Sequence, residues 1–384
     1  MRRLRPRFAE RGVALPMALI AMLLLAALML AFLSLSASEP LIAANHLGKA
    51  QARALADGGV ERSIWALSNP TNSAGLTDPL PSTLPSPFNG STLVSLGVGG
   101  YTVSVGNGST STERTATSTG WVPNDTSPRA KHVIAATLTK LRNLDLPCAL
   151  CVKGSLGAAG SATVDARPAS ACQGLIPKVG TYTTGATTGF GQGPRHVYGA
   201  DGNNTPDQST DYTQSADPAS FDAFTLTNDE LNTLKALAKA NNAYYQGTVS
   251  FSSSNPLPNG VVFVDTTTGN NITPATPTSE YADVRIVSTT GMDASGWLIV
   301  NGGLTIDGNV TYRGLVYVQD DLSYRGTGSG GIYGAVVALG VADVTSDTTG
   351  NSQVTYDCDY VKNGNNTVPS SWFVKPGSWR EVEG

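Results

Sequence analysis

The longest feature in the hydrophobic pattern is an uncharged run near the N-terminus, from Val13 to Leu35, which follows a basic segment of residues 1–12. Only Pro16 and Ser34 interrupt the apolar run, which is 23 residues long. A helix of that length rises roughly 34 Å at ~1.5 Å per residue, enough to cross a bilayer core. Apolar residues continue at helical spacing until Asn69-Pro70. The pattern therefore predicts one long helix over residues 13–67, half in lipid and half in water.

A second pattern, with period two, follows over residues 68–142. After a Pro-, Ser- and Gly-rich connection, it predicts three strands at 101–105, 115–122 and 132–138. The turns between these strands are short enough for an antiparallel meander. A helix with one apolar stripe needs such a sheet to cover it. We expect the long helix to pack on this small antiparallel sheet.

From residue 143 to 375 the pattern changes to short strand-forming runs, each ended by Gly, Asn or Asp. The most regular runs lie between Trp297 and Ala338. Runs so short and closely spaced favour a β-solenoid (a right-handed β-helix), with a compact β-meander as the alternative. An insertion over 180–260 interrupts them with a predicted loop, 180–218, and a helix that begins at a capping box of Thr227 and Glu230. Residues 376–384 form a tail. The predicted fold class is α+β.

Charge and cysteine content narrow the class of protein. The formal net charge is −4, and the leader of residues 1–12 contributes +4 through five Arg and one Glu, which leaves −8 on the rest. A body with that charge lacks the basic footprint of nucleic-acid binding, so no nucleic acid is inferred as a partner. The positive charges precede the apolar run, which predicts a cytoplasmic leader and an exported body.

The exported body contains four cysteines, at positions 148, 151, 172 and 358, all of them disulfide candidates. Cys148 and Cys151 also have the spacing of half a zinc site, but the sequence contains no second pair of this kind. Structural disulfides, zinc and free thiols therefore remain open. Four cysteines allow three pairings.

The N-terminal segment allows three interpretations: a plain membrane anchor, a cleaved secretory signal, or a leader cut on the cytoplasmic side at Gly12-Val13. The third matches a resemblance. Residues 11–20, RGVALPMALI, and 55–67, LADGGVERSIWAL, resemble the N-terminal regions of PilX-type minor pilins and are similar to GspK-type pseudopilins. The resemblance implies cleavage between Gly12 and Val13 by a prepilin peptidase. It also implies a filament helix that includes Met17, Leu19, Leu23, Leu28 and Phe32.

The same resemblance implies partners and location. The partners would be other pilin subunits and the pilus assembly machinery, and the protein would lie in the inner membrane before it joins a cell-surface filament. Major pilins of this kind have a Glu at the fifth residue after the cut, where this chain has Met17. A carboxylate in lipid is costly unless paired, and tip subunits have no subunit above them to pair with. The resemblance thus implies a subunit that primes or caps a type IV pilus-like filament.

Three further possibilities come from the polar residues. Asp201, Asn203, Thr205 and Asp207 alternate as in the first half of a calcium loop, but Pro206 stands where that loop requires glycine. Asp293, Asp307, Asp320 and Asp321 could serve a glycan-active enzyme, yet no histidine lies in the repeats, so we expect no enzyme activity and no cofactor. The alternative function is a membrane-anchored adhesion module that binds a host or surface ligand through the β-solenoid face.

Overall fold

The computed structural model describes residues 14–142, 144–167, 178–189, 196–199, 210–340, 342–346, 352–369 and 371–382. The chain divides into two compact units. The first consists of Met1–Gly106, Thr115–Ala136 and Arg380–Gly384, and the second of Asn107–Arg114 and Thr137–Trp379. Each unit is described separately.

The first unit is built around a single helix, α1, which spans Ala14–Ser68. It contains Pro40 and ends immediately before Asn69-Pro70, as the sequence predicts. The C-terminal half of α1 buries small and apolar side chains on one face, including Ala52, Ala56 and Val60. The structure therefore confirms the long N-terminal helix.

An antiparallel sheet accompanies this helix. Its strands are β1 (Val94–Leu96), β2 (Gly99–Asn107), β3 (Glu113–Val122), β4 (Ala130–Thr139) and β22 (Arg380–Val382). They follow the order β1-β2-β3-β4, with β22 paired to β4. The three predicted strands lie within β2, β3 and β4. The predicted tail is partly ordered into a strand, since Arg380 pairs with Ala135 on β4.

The helix approaches the sheet closely at two glycines. A Cβ added at Gly120 on β3 would lie 1.9 Å from the carbonyl oxygen of Ala52. A Cβ added at Gly59 on α1 would lie 2.1 Å from Oγ of Ser118. Such distances leave no space for a side chain, so glycine at both positions sets the distance between helix and sheet.

The second unit contains a large sheet in which every described pair of named strands is parallel. Its strands are β5 (Cys148–Val152), β6 (Leu156–Ala159), β7 (Thr163–Asp165), β8 (Val179–Thr183), β9 (Thr187–Thr188), β10 (His196–Tyr198), β11 (Tyr212–Thr213), β12 (Tyr244–Gln246), β13 (Val249–Ser252), β14 (Gly260–Asp265), β15 (Ala282–Val300), β16 (Gly302–Val318), β17 (Leu322–Gly326), β18 (Ile332–Ala338), β19 (Ala342–Ser346) and β20 (Gln353–Tyr356). A further strand, β21 (Phe373–Val374), pairs antiparallel with β4.

The parallel strands repeat at intervals of 18 to 20 residues. Val284 pairs with Leu304, Leu304 with Leu322, and Leu322 with Ala342. The next partner of Ala342 is Leu156, which precedes it in sequence by nearly half the chain. These five side chains are all buried and form one column of the core. The late strand β19 therefore pairs with the early strand β6, which joins two parts of this unit that are distant in sequence.

The connection from β11 to β12 passes back across the sheet. Tyr182 on β8 donates its hydroxyl to Oγ of Ser220 at 2.8 Å, and the backbone N–H of Leu226 donates to the hydroxyl of Tyr317 at 3.0 Å. Helix α2 (Asn228–Ala240) follows, with the predicted capping box of Thr227 and Glu230 in place. Helix α2 packs on β14, whose side chains are buried on both faces of the sheet.

The structure differs from the predicted insertion over residues 180–260. The stretch 180–218, predicted as a loop, contains parts of β8 and the whole of β9, β10 and β11, and all of these pair with the parallel sheet. The strands are only two to five residues long, which is too short for a period-two pattern to identify them. Much of the predicted insertion therefore belongs to the sheet itself. A third helix, α3 (Cys358–Asn363), follows β20.

Candidate functional site

The feature that stands out for function is the N-terminal half of α1. Residues Leu15–Leu33 have a mean hydropathy of 2.6, and none of this span is buried. Its length, 19 residues, corresponds to roughly 28 Å of helix, close to the ~30 Å core of a bilayer. By length and composition it is the one described helix that could cross a membrane. A lone span near an N-terminus could also be a signal sequence.

The five helix residues predicted for the filament lie along this exposed span. Their side chains are exposed to 68% for Met17, 54% for Leu19, 68% for Leu23, 61% for Leu28 and 76% for Phe32. Since burying one such side chain contributes ~1.5–3 kcal/mol, the span requires lipid or apolar protein around it. This span has no polar face, because apolar residues occur on all sides of the helix.

The predicted processing site, Gly12 and Val13, lies outside the residues that the structure describes. The calcium candidates Asp201, Asn203, Thr205 and Asp207 also lie outside them, as does Cys172. No group of three or more His, Cys, Asp or Glu that could hold a metal ion occurs within the described ranges.

The cysteines lie in the second unit. Cys148 and Cys151 form a disulfide on β5, and both side chains are fully buried. Cys358, at the start of α3, is also disulfide-bonded. The buried Cys148–Cys151 disulfide leaves no reactive thiol at these two positions.

The four aspartates considered for catalysis do not converge. Asp307 forms an ion pair with Arg285 at 3.0 Å, and Asp293 forms one with Arg313. Burial and the neighbouring Asp321 raise the pKa of Asp320 above its usual value. Asp293 and Asp307 are therefore neutralised by Arg on adjacent strands, whereas Asp320 and Asp321 lie in the turn between β16 and β17.

The histidines do not join the aspartates either. His132 lies 3.6 Å from the carboxylate of Glu381, and His196 stacks on Tyr198 with ring centroids 5.6 Å apart. Three tyrosines of the repeat region, Tyr312, Tyr317 and Tyr324, are fully buried and help fill the core of the second unit. Their rings therefore offer no surface to a ligand.

Sequence reasoning missed one buried charge pair. Lys235 on α2 and Asp265 on β14 lie 2.7 Å apart with almost no exposure. Asp265 also accepts hydrogen bonds from Asn301 at 2.7 Å and from the hydroxyl of Tyr244 at 3.0 Å. A lysine among the apolar positions of α2 is the sequence pattern that could have indicated it. The pair fixes α2 to the sheet.

Comparisons with known proteins add little to this geometry. No family model matches the chain, and no curated protein matches it significantly. Among solved structures, the crystal structure of the competence-associated pilin ComZ from Thermus thermophilus is similar at 12% identity, with a TM-score of 0.21. That match covers 88% of this chain and 97% of the other. A TM-score this low does not establish a common fold.

Proposed function

We propose that the chain is a structural subunit, a minor pilin that primes or caps a type IV pilus-like filament. The observation that supports this most strongly is the division of α1. Its last turns bury one face, including Ala52, Ala56 and Val60, and approach the antiparallel sheet closely, while Leu15–Leu33 is apolar and exposed. Such a helix suits a subunit that is stored in the membrane and then transferred into a bundle of similar helices.

The transfer has a physical basis. In the membrane, the uncharged span is solvated by lipid, and in a filament the same side chains pack against helices of other subunits. Neither environment leaves apolar surface in water. The free-energy difference between membrane and filament is therefore small compared with the free-energy cost of exposing the span to water. We propose that a prepilin peptidase first cuts between Gly12 and Val13, which removes the basic leader.

The position in the filament follows from Met17 in this proposal. A Glu at this position would have to be neutralised by a neighbouring subunit, because an unpaired charge in lipid costs several kcal/mol. Met17 needs no such partner. A subunit without this requirement can begin the filament, so we place the chain at or near the tip.

The body has its own proposed architecture. Parallel pairing at intervals of 18 to 20 residues supports a β-solenoid, in which each coil stacks on the one before it. We propose that α2 and the connection from β11 hold the coils together from outside. The solenoid would then be displayed at the cell surface.

Filament imaging tests the proposal. Deletion of the gene in its own host should reduce filament number, and wild-type chain supplied in trans should restore it. Immunogold labelling of the body should mark one end of each filament. Label along the whole filament would contradict the tip position. If the deletion strain makes normal filaments, and wild-type filaments contain none of this chain, the filament role is contradicted and the anchored adhesion module is favoured.

A further inference from the structure

The second unit contains a buried amine and a buried carboxyl group that no function described above uses. Nζ of Lys235 on α2 lies 2.7 Å from Oδ2 of Asp265 on β14, and the exposed fractions of the two side chains are 9% and 0%. An amine is a nucleophile, and a carboxyl group is an acyl partner with which it can condense. We propose that Lys235 and Asp265 form an isopeptide bond, with the loss of one water molecule.

The dry surroundings favour the uncharged form of the pair, which is the form that reacts. Two buried charges carry a desolvation penalty, and transfer of one proton from the ammonium to the carboxylate removes both charges at once. The fully buried ring of Phe263 lies 5.3 Å from Nζ and helps to exclude water. Water that could hydrolyse the product therefore has little access to the bond.

The two oxygens of Asp265 have different partners, which suits one of them to remain as the amide oxygen and the other to leave. Oδ1 accepts from Nδ2 of Asn301 at 2.7 Å and from the backbone N–H of Thr266 at 3.0 Å. Two donors on one oxygen stabilise the negative charge that develops there when the carbonyl carbon is attacked. Oδ2 instead faces Nζ and accepts from the hydroxyl of Tyr244 at 3.0 Å. Burial and the hydrogen bond to Asp265 raise the pKa of Tyr244 to about 12, so this hydroxyl keeps its proton at pH 7.

Neighbouring groups hold both reactants in place. Nζ of Lys235 donates to the carbonyl oxygen of Gly269 at 3.1 Å, which orients the amine. Gln319 donates to Oδ1 of Asn301 at 2.9 Å, so the amide of Asn301 is turned with Nδ2 toward Asp265. Reactants that are already positioned lose less entropy on the way to the transition state, which lowers the barrier.

The condensation balances without an oxidant or a cofactor. One proton passes from Nζ to Oδ2, and the amine lone pair then attacks Cγ of Asp265 while the carbonyl electron pair moves to Oδ1. That pair returns as the bond between Cγ and Oδ2 breaks, and Oδ2 takes a second proton from Nζ through the Tyr244 hydroxyl and leaves as water. The product is a neutral secondary amide that joins α2 covalently to β14. It closes a loop between residues 235 and 265, which lowers the entropy of the unfolded chain.

Peptide mass mapping tests the proposal on the full chain purified in detergent, after reduction of its disulfides, denaturation and digestion with trypsin. Without the bond, trypsin releases the peptides 196–235, 236–239 and 240–285. With the bond, cleavage after Lys235 is blocked, and a branched species joins 196–239 to 240–285 with a mass one water below the sum of the two. We expect this branched species, and fragmentation that places the link at Lys235 and Asp265.

Two variants check the assignment. Lys235→Met should give 196–239 and 240–285 as separate peptides. The matched control, Lys239→Met, makes the same change at an exposed position one turn further along α2 and should give the peptide 196–285 with one water missing. Absence of the branched species from the wild type would overturn the proposal whether or not the variants fold, and so would a loss of water that persists in Lys235→Met.

The bond also bears on how variants of the pair are compared. Lys235→Met and Asp265→Ala both lack it, so a difference in stability between these two variants reports on the group that each leaves behind. The mass measurements do not depend on filament assembly, since they use the purified chain alone.

Discussion

Replacing Gly59 with alanine should destabilise the first unit, whereas the same replacement at the neighbouring Gly58 should stabilise it. Both glycines lie inside α1, where alanine is favoured over glycine by ~1 kcal/mol. No atom lies within 4 Å of a Cβ added at Gly58, so this variant should gain most of that amount. The two changes are chemically identical and adjacent, which makes each the control for the other.

The cost at Gly59 follows from its neighbours. The added Cβ would lie 2.1 Å from Oγ of Ser118, 3.0 Å from Cβ of Ser118 and 2.9 Å from Cδ2 of Tyr101. Rotation of the Ser118 hydroxyl relieves only the first contact. Overpacking of this kind costs ~1–3 kcal/mol, so after the gain in helix propensity we expect a net loss of up to ~2 kcal/mol. Because both variants share that gain, they should differ by the overpacking cost, ~1–3 kcal/mol.

Two measurements on the full chain in detergent read out this difference: the urea midpoint followed by far-UV circular dichroism, and hydrogen exchange of the peptide that contains β3. Gly59→Ala should lower the midpoint and speed exchange in β3, and Gly58→Ala should do neither. The added change Ser118→Gly should restore much of the loss, because it removes two of the three close contacts. Equal stabilities for Gly58→Ala and Gly59→Ala would refute the close approach of helix and sheet.

Three other predictions concern different parts of the chain. Asp265→Ala should lower the free energy of unfolding, measured by urea denaturation, by about 3–5 kcal/mol, because it leaves the Lys235 charge buried without its carboxylate. Lys235→Met should lower it less, because Asn301 and Tyr244 still donate to Asp265. A larger loss for Lys235→Met would contradict this network. Leu23→Arg should move the chain from the membrane fraction to the soluble or degraded fraction, since a charge at the centre of a span costs at least ~2.5 kcal/mol, whereas Ala44→Arg, beyond the span, should leave fractionation unchanged. Burial raises the pKa of Tyr317 and Tyr324 to about 12, so the stability they contribute is complete below pH ~10 and is lost as pH rises through the folded pKa; an absorbance titration that ionises all tyrosines near pH 10 in the folded chain would contradict this.

Local patterns in the sequence predict the first unit well. The apolar run and Asn69-Pro70 indicate where α1 ends, and alternation indicates β2, β3 and β4. Each of these features depends on residues close together in the chain. The capping box at Thr227 was predictable for the same reason, since its two members are three residues apart.

The second unit could be predicted only in part. Short strands ended by Gly or Asn were recognisable in the sequence. No local pattern, however, indicates that β19, which begins at Ala342, pairs with β6 at Leu156. That contact depends on the path of the whole connection across the sheet. The Lys235–Asp265 pair is likewise formed by residues distant in sequence. Tertiary contacts of this type leave no periodic trace.

The N-terminus of the protein recovered from filaments of its own host tests the filament account most directly. Filaments would be sheared from cells, separated from membranes and analysed by mass spectrometry of the terminal peptide. The account predicts a mature chain that begins at Val13 and is present in the filament fraction. A chain that retains Met1 and occurs only in the membrane fraction would contradict it, and the tip position inferred from Met17 would be lost as well.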